Sequence, residues 1–550
     1  MLKLATIIDN PGEPVVETRY RDPQELKGLG YNALAVYDTT ALSGVEHADA
    51  IRSTELRHWL NGRIDHVGRS IERARQAGLG VYFFYDVLVL PRDQVEAQAQ
   101  ALTCRHRPGV LCPASERAWE QSEAALRAYL ERWPEVEGVV LRFGDNDAAR
   151  LPYLVGNDLY SPHCPRCSSL GPADRIVQMI ERFHRLVVER FGKRLIVRAW
   201  NVRPNGLHDS VDLARRVVER LPGKPEDDRL ILSFKFTHTD FWRYQKWNPC
   251  SLLCGRRPIL YELQCQREFE GKGGVPNWQV PLWRDGYPET RGQTEVAGLA
   301  QAVQRVNLAG LWAWVRGGGW GGPFVKNEAW IDANVFAVPR LADHPAADPA
   351  ELGRTWIAQR LGVTDAAIAS KLMDILQHSH EEVKNAFYIG PFAQAKSDPW
   401  HPSADWIQDD VLDAQAAWRI IQRLPESQLD AAVLQKQEAV SQISADRAAL
   451  QHLVSDRHHA ALEPLVNTLI YAESLYEALR DLVAGLVAYR RYLRNRSAGS
   501  ADLARQKLFS AQSHWNHHTQ RHGALPGTAT AFRETQFWEL TQQILSELSP

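Results

Sequence analysis

The sequence predicts an α/β protein: a (β/α)8 TIM barrel followed by an all-helical C-terminal domain. Three observations carry this. Short apolar runs alternate with amphipathic helical stretches over roughly the first 335 residues, a pattern of parallel βα units. Eight such runs fit in that length, the number a closed barrel needs. After Trp330 the strand-like runs stop and helical periodicity takes over.

The eight candidate strands are residues 4–9, 33–38, 80–86, 138–143, 195–200, 230–236, 259–264 and 310–315. They are β-branched or aromatic, and several are continuous apolar runs, as suits strands covered on both faces. Helical patterns at 70–76, 115–132, 172–190 and 210–221 separate them. No glycine-rich dinucleotide fingerprint follows the first strand, which argues against an open doubly wound sheet. Residues 329–341 read as the last barrel helix, so the barrel is expected over 1–342 and the helical domain over 343–550.

In the second domain, 348–361 opens on Asp348 with Glu351 three residues on and stops before Gly362, a capped helix. Residues 409–424, 429–453, 501–521 and 530–548 are amphipathic. From 462 to 489, Leu462, Leu465, Leu469, Ala472, Leu475, Leu479, Leu482, Leu486 and Tyr489 define one apolar helix face. Such long faces predict a homodimer, with packing inside the chain as the alternative. Segment 388–402, rich in Pro, Gly, Ser and Ala, reads as a loop near the barrel mouth or between helices.

With 44% hydrophobic and 24% charged residues and a formal net charge of −2, the balance is that of a water-soluble globular protein. Nothing basic enough for nucleic acid and no apolar run long enough for a membrane is present. The N-terminus carries one basic residue, Lys3, and a very short apolar run, so a cytoplasmic protein is expected. The seven cysteines are odd in number and irregular in spacing, unlike a disulfide framework. Cys164 and Cys167 have the spacing of a zinc knuckle, but a structural zinc needs four ligands. Cys104 with His106, or Cys250 with Cys254, are candidate second pairs, and neither has the usual spacing. The reading is therefore reduced thiols in a loop, with no cofactor. The 18 tryptophans either fill the core or cover the apolar faces of sugar rings.

Barrel enzymes carry their chemistry at the C-terminal ends of strands. Here those ends supply Asp9 and Asn10; Asp38; Asp86; Arg142, Asp145, Asn146 and Asp147; Trp200 and Asn201; Lys235, His238 and Asp240; Glu262, Gln264, Arg267, Glu268 and Lys272; and Arg316 before the glycine-rich run with Trp320. Trp283, Asn327 and Glu328 are further candidate binding residues. Carboxylates interleaved with amides, cations and indoles suit a polyhydroxylated ligand, an oligosaccharide. They also supply the two carboxyl groups glycoside cleavage requires. Strand-end aspartates also cap helices, and the same ring would serve a non-catalytic carbohydrate-binding barrel. A metal-dependent barrel enzyme with His238 among its ligands is another alternative, although no His-x-His follows strand one.

Two blocks of residues resemble glycoside hydrolase family 67, the α-glucuronidases. The first is 232–241 with 260–271, containing Asp240-Phe241, Glu262, Gln264, Glu268 and Gly271. The second is 320–342, containing Asn327, Glu328, Trp330, Asp332, Asn334 and Arg340, continued at 348–357 by Glu351 and Trp356. The resemblance covers roughly residues 130–365. It implies an inverting mechanism, with Asp145 as the acid and Asp240 and Glu262 as the base pair, Glu268 standing in reserve for Glu262. It also implies a uronate substrate, for which Arg142, Lys235, Arg267, Lys272 and Arg316 are the candidate cations. The family's acid is a Glu where this chain has Asp145, and no counterpart of its N-terminal β-domain precedes the first strand. A divergent relative is therefore expected.

Overall fold

The computed structural model describes residues 1–8, 17–37, 53–146, 149, 151, 153–317, 327–395, 400–403, 406–408, 411–456, 459–522, 533–535 and 537–549. Eight strands run β1 Leu2–Ile8, β2 Ala33–Val36, β3 Gly80–Asp86, β4 Gly138–Arg142, β5 Arg194–Arg198, β6 Leu230–Lys235, β7 Pro258–Gln264 and β8 Asn307–Gly317. All neighbours pair in parallel and β8 returns to β1, closing the barrel. Every strand lies where the apolar runs predict it. Asp9, Asn10, Asp38, Asp147 and Trp320 lie outside the described residues.

The seam between β1 and β8 depends on glycine. Gly317 has φ +86°, and a Cβ there would stand 1.9 Å from the Ile8 carbonyl oxygen. A side chain at this position would push the closing strands apart. The barrel lumen is filled rather than open. Phe84, Arg142, Arg198, Ser233, Glu262, Trp312 and Trp314 are all buried and touch one another across it.

Helices cover the outside. Residues Thr54–Gln76 form a longer helix than the 70–76 pattern suggests, capped by Ser53. The 115–132 pattern is the helix Glu116–Arg132, which Ser115 caps. The 172–190 pattern divides into an α-helix, Pro172–Phe183, and a widened π-type turn, His184–Arg190. Helix Ile331–Asp343 packs against β8 and β1.

The C-terminal region is helical, with Pro349–Arg360, Ala366–Phe387, Ala414–Arg423, Glu426–Asp456, Glu463–Asn495, Ala498–His522 and Phe537–Glu547. The helix Ala366–Phe387 and a small three-stranded sheet, Ile407–Gln408, Val411–Asp413 and Arg533–Thr535, are additions to the sequence reading. The long apolar stripe of Glu463–Asn495 is buried within the chain, against Glu426–Asp456 and Ala498–His522. This region grips the barrel through Trp330 Nε1 to Thr468 Oγ1, Asn327 Nδ2 to the Pro464 carbonyl, and Trp278 N to Ser379 Oγ. Among the described residues, no helix is long and apolar enough to cross a membrane.

Candidate active site

The C-terminal ends of β4 to β8 converge on one group of charged side chains. Lowest lies Glu262 on β7, fully buried. Its carboxylate accepts Arg198 Nε at 3.1 and 3.2 Å, Ser233 Oγ at 2.9 Å and Trp314 Nε1 at 3.1 Å. Arg198 is itself fully buried, lies under Trp314 with 4.5 Å to the ring centroid, and brings Nη1 to 3.9 Å from Asp145. Glu262 is thus walled in by donors, and Arg198 is the cation between it and the mouth. A buried arginine held this way positions and balances carboxylates.

Two residues along β6 from Ser233, on the same face, Lys235 rises to the next layer. Its ammonium pairs with Asp240 and stands 3.6 Å from the Trp200 ring and 4.4 Å from the Phe241 ring, a cation–π seat. Beside this pair lies Glu268. Burial first, and then the neighbouring charge of Asp240, push its carboxyl up to about 7, against the pull of Lys235, Gln264 and Lys272. Asp145 and Asp240 keep 15% and 18% of their side chains exposed, so a ligand can reach both.

The loop after β7 holds Glu268 rigidly. Gln264 accepts the Glu268 backbone N–H at 2.9 Å. Arg267 and Lys272 adopt left-handed backbone at φ +58° and +48°, a strain that persists only where surroundings enforce it. The enforcing contacts are visible. Arg267 forks onto Glu270 at 2.8 and 3.0 Å, and Glu270 also takes Asn277 at 2.7 Å and the Tyr388 hydroxyl at 2.9 Å. Burial alone would raise the Glu270 carboxyl, but Arg267 and these donors hold it below its ordinary value.

An aromatic arc borders the group. Trp200 stacks on Trp400 with centroids 5.6 Å apart, Trp400 neighbours His401, His401 meets the edge of Trp242, and Trp242 stacks on Phe269 at 3.8 Å. Trp400 and His401 come from the C-terminal region, from the loop the sequence places near the mouth. Stacking of this kind contributes about 0.5–1.5 kcal/mol. Trp400→Ala is therefore expected to lower the unfolding free energy by about 1 kcal/mol, read from urea denaturation. Unchanged stability would show that the stack on Trp200 contributes nothing to the fold.

The other sequence candidates divide. Arg142 forks onto Asp86, with Nη2 at 2.7 Å from the carboxylate, and donates to the Tyr37 hydroxyl at 2.9 Å. Arg316 pairs with Glu328 at 3.0 Å. Asn146 ties loops together, donating to the Val87 and Asn157 carbonyls at 2.7 Å each. Asn201 donates to Asp209 at 3.0 Å, and His238 contacts the Asp209 carbonyl at 3.0 Å. Burial keeps the His238 ring low, toward its neutral form. Asn327 bonds the helical region, as described above, and Trp283 is fully buried in the core. Sequence reasoning missed Arg198, Trp314, Trp400, Trp242 and Phe269. Arg198 left a signal, a lone charge inside the apolar run 195–200.

No family model matches the sequence, and no curated protein matches it. Solved structures match the fold. A GH138 enzyme targeting pectin rhamnogalacturonan II has a TM-score of 0.56 at 12% identity, covering 100% of this chain and 67% of its own. A mutant O-GlcNAc hydrolase from Thermobaculum terrenum gives 0.42 at 11% identity, over 100% of this chain and 94% of its own. A chitobiase from Flavobacterium johnsoniae gives 0.35 at 12% identity, over 100% and 78%. The likeness to the GH138 enzyme is one of fold, and with the closed parallel sheet it makes this chain a (β/α)8 barrel joined to a helical C-terminal region.

Proposed function

We propose that this protein is a glycoside hydrolase that removes a uronic-acid residue from an oligosaccharide with inversion of configuration. The observation that carries the reading is the mouth carboxyl Glu268, buried beside Asp240, where burial and that charge push it up to about 7. Glycoside cleavage needs one protonated and one ionised carboxyl group, and environments that drive two carboxyls apart assign their roles. Glu268 is the acid that protonates the leaving oxygen. Asp145 on the β4 side, with the Arg198 guanidinium for a neighbour, is the base that takes a proton from water. Asp240 keeps the Glu268 proton in place by repelling a second negative charge. This exchanges the roles implied by family 67, whose acid lies on strand four, and leaves Glu262 as a positioning residue beneath them.

Lys235, which pairs with Asp240, and Lys272 are the cations whose charge reaches Glu268, and we assign the sugar carboxylate to their neighbourhood. Arg142, Arg267 and Arg316 face Asp86, Glu270 and Glu328, away from Glu268 in their pairing. Trp200 and Trp400 border the group with indoles, the side chains whose apolar faces suit a pyranose ring. That the GH138 enzyme of like fold targets a pectin supports a uronate-bearing polysaccharide as the source of substrate.

The test is a panel of uronic-acid-capped and neutral oligosaccharides, rhamnogalacturonan II fragments included, with NMR of the first-released anomer. Release of a uronic acid of inverted configuration is expected. Cleavage of neutral caps alone would overturn the substrate class, retained configuration would overturn the mechanism, and no turnover on any member would overturn both.

A further inference from the structure

We propose that Cys104, Cys112, Cys164 and Cys167 form a tetrathiolate site for a structural zinc ion, which clips the loop after β3 to the loop after β4. The proposal is independent of the hydrolase reading. In the sequence these cysteines look like two unrelated pairs, separated by 51 residues between Cys112 and Cys164. In the fold their sulfurs all lie within 4.8 Å of one another, and all four residues are buried. Cys112, rather than His106, completes the set, while Cys250, Cys254 and Cys265 belong to the main core.

The spacing of the sulfurs is the spacing zinc imposes. At a Zn–S distance of about 2.3 Å, the sulfurs of a tetrahedral site stand about 3.8 Å apart. Cys104 and Cys167 are 3.8 Å apart, Cys112 and Cys164 3.7 Å, and Cys164 and Cys167 3.5 Å. A disulfide would require about 2.05 Å, and two disulfides would pull the quartet into separate pairs. The surroundings suit a negatively charged cluster. The backbone N–H groups of His163 and Cys164 donate to Cys167 Sγ at 3.1 and 3.2 Å, and the Arg166 side chain donates to Cys112. Four sulfur ligands select zinc or iron. A closed set of four protein ligands is that of a structural zinc.

The local architecture explains what the ion would do. Cys104 belongs to the hairpin of Thr103–Cys104 with Arg107–Leu111, and Cys112 follows it directly. Cys164 and Cys167 bracket a single turn in the next loop. Leu88, Leu90, Leu102, Leu111 and Leu159 tie the bases of these loops to the main core, whereas the four cysteines form a separate cluster joined by Ala114 alone. Around the cysteines themselves there is little else to bury, so the metal would be the staple there. The pairing of Val89–Pro91 with Leu154–Gly156 and the bond from Asn157 Nδ2 to the Leu111 carbonyl, 2.9 Å, join the same two loops. Arg175, buried, donates to the Cys167 and Leu159 carbonyls. Asn146, next to Asp145, hangs from the Val87 and Asn157 carbonyls on both sides of this junction. The clip therefore fixes the frame that carries Asp145.

Elemental analysis of the full chain, purified without added metal or chelator, tests this. About one zinc per chain is expected, released by a thiol-blocking mercurial. Cys164→Ser with Cys167→Ser should lose it, and Cys250→Ser with Cys254→Ser should keep it. If the first double variant does not fold, native protein produced on cobalt gives the answer, because four thiolates produce intense sulfur-to-metal charge-transfer bands together with tetrahedral d–d bands. Demetallated protein should be cut by protease within residues 87–115 or 143–171 while the barrel stays intact. A metal-free native protein, a Cys104–Cys167 or Cys112–Cys164 disulfide by mass spectrometry, or iron in place of zinc would each overturn the proposal.

Discussion

Glu268→Gln is expected to slow hydrolysis of an unactivated uronic-acid-capped oligosaccharide by about 10²–10⁴-fold, the range that general acid catalysis supplies. The same variant should lose far less on an aryl glycoside whose phenol leaves without protonation, because a stable phenolate needs no acid. Asp145→Asn removes the base, so it should depress both substrates together. The pairing of these two variants with two leaving groups separates acid from base. Equal loss on both substrates by Glu268→Gln would remove the acid assignment. Wild-type kcat/KM should fall on the alkaline side with an apparent midpoint near 7, where the Glu268 carboxyl releases its proton, and Glu268→Gln should abolish that limb. The same proton affects folding. Below the ordinary carboxyl range the folded and unfolded chains both hold it. Between that range and about 7 only the folded chain does, so this group lowers stability as pH rises through the window.

Glu262→Ala is expected to destabilise the fold by about 3–5 kcal/mol, the loss seen when one member of a buried ion pair is removed. Arg198 would be left as a buried cation with Asp145 3.9 Å away, and Ser233 Oγ and Trp314 Nε1 would lose their acceptor. Urea denaturation followed by tryptophan fluorescence measures the shift. The paired variant Arg198→Leu with Glu262→Leu removes both charges, and a good part of the lost stability should return, since apolar replacements of buried pairs are often tolerated. Glu268→Gln should leave stability near the wild type at low pH. A Glu262 variant as stable as wild type but inactive would instead make Glu262 a group that acts on substrate.

The barrel was legible in the sequence because each buried strand must be apolar on both faces, and that demand writes a local signature at all eight positions. The helix behind Ser115 was equally local, set by its apolar spacing, whereas that of Thr54–Gln76 was legible only in its last two turns. The set of strand-end carboxylates was also readable, since position along a strand fixes which end of the barrel a residue occupies. Their division of labour was not. Glu262 and Glu268 differ by six residues and by nothing in local pattern. One is enclosed by Arg198, Ser233 and Trp314, and the other reaches the mouth beside Asp240.

The sequence by itself therefore determined the chain's class and the end of the barrel where chemistry can occur, because periodicity and burial act over a few residues. The tertiary structure alone decided which charges meet. Arg198 of β5 faces Glu262 of β7, Trp400 is carried back onto Trp200, and Cys104 and Cys112 close on Cys164 and Cys167. A pKa, a stacking face and a metal geometry depend on distances of a few ångströms between residues far apart in the chain, and barrel closure sets those distances.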